Sequence, residues 1–145
     1  MMAKKNRILL EMVVVLLVFA LSSAVIVQVF AASAKESERS CATTEAMLLA
    51  EEVLERLKTD PADPETQLLQ LGFYRTPSGI YQKEFDRDWN PAPACPRYAL
   101  RVTVNGVSTG AGSLLEIETD GILYGEQEES LLRFETSVYR PGVTV

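Results

Sequence analysis

From Met12 to Ala34 the chain runs for 23 residues without a single charge. As an α-helix this run would rise about 34 Å, against a bilayer hydrocarbon core of about 30 Å, so a membrane-spanning helix is predicted over 8–32. Helical spacing then continues. Ala42, Ala46, Leu49, Ala50, Val53 and Leu57 recur at intervals of three and four and form one apolar stripe, while Glu45, Glu51, Glu52, Glu55 and Arg56 occupy much of the remaining surface. Neither proline nor glycine interrupts residues 8 to 59. The pattern predicts a single helix of about 78 Å, amphipathic over 33–59 and ended by Asp60-Pro61, because the residue before proline is pushed out of the helical region. Two helices with a break near Ser33 are the alternative. In either case the distal stripe needs a surface to cover.

Residues 60–78 read as a connecting segment with one short helix: Asp63 as N-cap, Pro64 at the first position, then Leu68, Leu69, Leu71 and a terminating Gly72. From Gly79 the period changes to two, and 79–145 is predicted as antiparallel sheet. Ile80, Gln82 and Glu84 alternate with Tyr81, Lys83 and Phe85. Leu100, Val102 and Val104 share one face, with Arg101, Thr103 and Asn105 on the other. Leu115, Ile117 and Thr119 form a third strand, and Asp120-Gly121 is a hairpin signal leading into Ile122-Leu123-Tyr124. Leu132, Phe134, Thr136 and Val138 make a last strand, stopped by Pro141-Gly142. The predicted class is therefore α+β, with a long N-terminal helix packed on a small antiparallel sheet of four or five strands.

Charge narrows the function. With 14 basic and 20 acidic residues the net charge is -6, and Lys4, Lys5 and Arg7 precede the apolar run, so the acidic excess lies beyond it. Nucleic-acid binding needs a basic surface and is not expected. There is no histidine, which removes His-based triads and the usual zinc sites. No cofactor or metal is predicted, and no enzyme; only carboxylate acid–base chemistry stays formally open. Basic flanks are retained on the cytoplasmic side, so residues 1–7 read as a cytoplasmic leader and the C-terminal region as extracytoplasmic, a single-pass arrangement. The rival is a signal peptide cleaved after Ala32-Ser33-Ala34, although the apolar run exceeds the usual 7 to 15 residues.

Glu11 is an ionisable residue at the inner end of the apolar run. Either it pairs with Arg7 at i,i+4 or it meets a charge from another subunit. A basic leader, a short apolar stretch, Glu11-Met12 and a long apolar helix together resemble the N-terminus of a type IV pilin-like protein or pseudopilin, over Arg7-Ile8-Leu9-Leu10-Glu11-Met12-Val13-Val14-Val15-Leu16-Leu17. The resemblance covers about 25 residues. It implies cleavage by a prepilin peptidase between Asn6 and Arg7, which makes Glu11 the fifth mature residue, and an assembly role in which Glu11 neutralises a neighbouring subunit's terminal amine. The family has glycine, sometimes alanine, before the cut and usually an apolar residue after it. Here Asn6 and Arg7 stand in those places. The implied partners are other pilin-like subunits through the N-terminal helix, the peptidase, an assembly platform and the lipid bilayer.

Other features are weaker. Cys41 and Cys95, once exported, could close a loop of more than 50 residues by a disulfide, nominally worth about 4 kcal/mol, or remain thiols, or bond between chains. Asp86-Arg87-Asp88-Trp89-Asn90 has oxygens at alternate positions, but Pro91 and Arg97 stand where a calcium loop needs Gly and Glu, so a turn is expected. Gly106, Ser108, Thr109, Gly110 and Gly112 read as a flexible hairpin loop, and Glu126-Gln127-Glu128-Glu129 as a solvated one. Ala20 and Ala24 offer a small-xxx-small face for helix contact. The resulting expectation is a structural subunit of a bacterial type IV pilus-like or type II secretion-like assembly; the competing one is a tethered or secreted ligand-binding module.

Overall fold

A computed structural model describes residues 2–109, 112–125 and 127–141. The chain divides into two compact units, Met1–Ser40 and Cys41–Val145. Helix α1 (Met2–Thr59) is continuous, so the break near Ser33 does not occur. Arg56 and Lys58 lie in its last turn, where positive charge offsets the exposed carbonyl dipoles, and Asp60 N–H still reaches Arg56 O at 3.2 Å before Pro61 ends the helix.

Within the second unit, α2 (Pro64–Gln70) begins as expected: Asp63 Oδ1 accepts the Thr66 N–H at 3.1 Å and Pro64 occupies the first turn. The Thr66 hydroxyl and N–H also hold the Asp63 carboxyl below the usual carboxylate range. Gly72 takes φ +82°, and Phe73 N–H bonds Leu68 O at 3.0 Å, so the chain reverses sharply into the sheet. Five antiparallel strands follow in sequential order: β1 (Tyr74–Arg75), β2 (Tyr81–Phe85), β3 (Tyr98–Thr109), β4 (Gly112–Leu123) and β5 (Glu129–Pro141).

The core forms where the distal half of α1 lies on one face of this sheet. Ala42, Ala46, Ala50, Val53 and Leu57 are all 3% exposed or less, opposite Tyr81, Phe85, Tyr98, Leu100, Val102 and Ile117, with Leu68 and Phe73 closing one side. These are the period-four stripe and period-two faces legible in the sequence, and their burial is what holds the unit together. The fold is α+β, a long N-terminal helix packed on an antiparallel sheet.

Two readings need correction. Asp120-Gly121 is not a hairpin: both residues lie inside β4, which pairs along its whole length with β3. Glycine suits a close approach there, since a Cβ on Gly121 would sit a tight 3.2 Å from Ala46 Cβ and 3.0 Å from Leu132 Cγ. The register with β5 slips at Gly121/Ile122, a bulge adjoining that close approach. Likewise Gly106, Ser108 and Thr109 belong to β3 and Gly112 to β4, so the hairpin loop is shorter than expected, and Gly110 lies outside the described residues.

Candidate functional site

The first unit carries the feature with the clearest physical consequence. Every large apolar side chain from Ile8 to Phe30 is between 52% and 72% exposed. This helix is long and apolar enough to cross a membrane, and none of its most apolar stretch is buried by the protein. Its hydroxyls are already satisfied: Ser22 Oγ donates to Val18 O at 2.8 Å and Ser23 Oγ to Phe19 O at 2.9 Å. In hydrocarbon such back-bonding spares a hydroxyl its desolvation cost.

Glu11 and Arg7 come together on this helix. Arg7 Nε lies 3.5 Å from Glu11 Oε1, one turn apart, with both side chains largely exposed. Of the two partners considered from sequence, the local one is present. Asn6 and Arg7, the positions flanking the implied cleavage, both lie within α1. Ala20 and Ala24 are exposed.

The cysteines behave differently. Cys41 and Cys95 are both exposed free thiols, so the intrachain disulfide is not formed in this structure. The loop following β2 is a turn, as expected: Asp86 Oδ1 accepts the N–H groups of Asp88 at 2.8 Å and Asn90 at 2.9 Å. Those backbone bonds, that of Asn90 foremost, hold the Asp86 carboxyl below its ordinary range. The turn puts Trp89 at φ 61° and lays its ring on Tyr98, centroids 4.6 Å apart and nearly parallel. Its work is to cover one end of the core.

The face of the sheet away from α1 carries a polar row that sequence reading missed. Tyr74, Gln82, Arg101, Asp120 and Arg133 are register partners across all five strands. Gln82, only 8% exposed, has its Nε2, a two-proton donor, within hydrogen-bond distance of Glu84 Oε1 at 2.9 Å, Tyr124 OH at 3.1 Å and Tyr74 OH at 3.2 Å, while its Oε1 accepts from Arg101 Nε at 2.9 Å. Partial desolvation, with the Glu84 carboxylate beside it, raises the Tyr74 hydroxyl above its usual pKa. Arg101 extends the chain with a two-pronged pair to Glu128, at 3.0 and 3.1 Å. Glu128 stays exposed, as a solvated loop residue does, and its carboxylate also ties the β4–β5 connection to β3. At the far end Arg133 contacts Glu118, Asp120 and Glu135. The only advance signal was the alternation of Gln82 and Arg101 with core residues, which marks a face without saying what gathers on it.

Comparison with protein-family models, with characterised proteins and with solved structures returns no match to this chain.

Proposed function

We propose that this protein is a structural, non-enzymatic subunit of a type IV pilus-like or type II secretion-like assembly, a pseudopilin or minor pilin. Its N-terminus lies on the cytoplasmic side and its sheet unit outside. The observation that carries this reading is the division of labour along one unbroken helix. Its first part is apolar and unburied with a carboxylate near the inner end, and its last part supplies the core of an antiparallel sheet unit. In this mechanism the apolar segment keeps the subunit in the bilayer and then packs against neighbouring helices, and Glu11 sets their axial register. The basic flank Lys4, Lys5, Arg7 supports the orientation.

The deciding experiment replaces Glu11 by Ala. The variant should insert in the membrane normally yet fail to be recovered with its partner subunits; normal co-assembly would refute the register role. N-terminal sequencing of the membrane-resident protein tests the processing step, which this reading places before Arg7. One observation favours a second reading, a membrane-tethered binding module with a plain anchor. The Arg7–Glu11 pair already balances the carboxylate within the chain, so no neighbouring charge is needed. A retained leader would support that tether.

A further inference from the structure

The two edges of the sheet are unlike. β1, at one edge, is two residues long. β5, at the other, has 13 residues and pairs with β4 alone among the described residues. Natural proteins blunt exposed edges by shortness, lysine, proline or a bulge, because unpaired N–H and C=O groups template another strand. β5 is bulged near its start and reaches Pro141 at its end, but from Leu132 to Val138 it holds regular register with β4 and contains neither lysine nor proline.

Beside this open edge lies a groove of about 220 Å³ between the flank of α1 and Phe134 of β5. Met47, half exposed at 51%, and Leu54 form its apolar floor with Phe134. Glu51, Glu55 and Lys58 line its rim. Lys58 Nζ is 3.7 Å from Glu55 Oε1, which leaves the rim with an acidic balance.

We propose that β5 accepts an added β-strand from another protein. That strand carries apolar residues at alternate positions toward Met47, Leu54 and Phe134, and a lysine or arginine facing Glu51 and Glu55. Backbone bonding to the open edge supplies affinity that is independent of side chains, and the two-residue period lets the groove select among sequences. A second copy of this chain is the poorer occupant. Antiparallel joining of two β5 edges would bring two acidic rims to the same side of the joined sheet, like charge toward like.

The full-length chain, held in nanodiscs, is panned against a random peptide library, and selected peptides are followed by hydrogen exchange of the β5 amides. The expected winners alternate apolar and polar residues, carry lysine or arginine, and slow exchange over Leu132–Val138. Charge reversal on the exposed helix flank, Glu51→Lys with Glu55→Lys, should weaken them at least about tenfold, the equivalent of about 1.4 kcal/mol. A proline placed mid-peptide should abolish the protection. Absence of β5 protection by any selected peptide overturns the proposal, as does indifference to the charge reversal. Concentration-dependent protection of β5 without peptide also overturns it, by making a second copy the occupant.

Discussion

The two halves of α1 have the same backbone and opposite surroundings. From Ile8 to Phe30 large aliphatic and aromatic side chains point in every direction and stay more than half exposed. From Ala42 to Leu57 one stripe, Ala42, Ala46, Ala50, Val53 and Leu57, is buried almost completely, while Met47 and Leu48 beside it stay 51% and 56% exposed. A helix apolar all round needs a solvent that is itself apolar, whereas a striped helix needs one apolar surface and water elsewhere. The stripe is also graded by size. It is alanine at 42, 46 and 50, with Gly121 allowing close approach at Ala46, and widens to Val53 and Leu57. Small residues in the apolar half, such as Ala20 and Ala24, are exposed.

The sharpest way to test this contrast is to make one substitution in both halves. Leu57→Ala, at 1% exposure, should cost the sheet unit about 2–5 kcal/mol in chemical unfolding followed by near-ultraviolet circular dichroism. Leu17→Ala, at 57% exposure, should move the same transition by less than about 0.5 kcal/mol. Equal effects would erase the distinction. A smaller effect probes the close approach: Gly121→Ala forces its new methyl against Ala46 and Leu132 and should destabilise by about 1–3 kcal/mol.

Two further tests look within the sheet unit. Thr119 Oγ1 is buried with no hydrogen-bond partner among the described residues, in the core face beside Ile117. Thr119→Val should therefore be neutral or stabilise the unit by up to about 1 kcal/mol in the same unfolding assay, the opposite sign to Leu57→Ala. The least effect is expected from Asp86. Its carboxyl is held below the ordinary range by the Asn90 and Asp88 N–H groups, so its contribution is present above the ordinary carboxylate pKa of about 4 and is lost as pH falls through the depressed value. Asp86→Ala should lower the thermal midpoint slightly at neutral pH and leave a shallower loss on acidification, read by a pH series of melting curves.

Much of the architecture was legible because it rests on local or periodic signals. The absence of proline and glycine from 8 to 59 foretold one helix, Asp63-Pro64 and Gly72 marked the ends of α2, and alternation in Leu100-Val102 and Leu132-Phe134 identified the core face. Asp120-Gly121 misled because a glycine demanded by a tight turn and one demanded by a close-packed helix look identical in sequence. The pairing of the exposed Glu128 with Arg101 was not legible because the two stand 27 residues apart. In the candidate site, Glu11 was conspicuous as a carboxylate beside an apolar run, and its local partner Arg7 could be foreseen from the spacing alone.

By itself the sequence determined the quantities set by neighbours along the chain: the length and apolar character of the first helical half, the stripe on the second, the caps, and the alternation of the strands. Tertiary structure alone decided where Gly121 meets Ala46, which polar groups converge on Gln82, that Cys41 and Cys95 are exposed free thiols, and that β5 is left as an open edge beside an acidic groove. The division has one physical cause. Periodicity and capping are energies between residues a few positions apart, whereas contacts across strands and between helix and sheet depend on distances that exist only after the chain has folded.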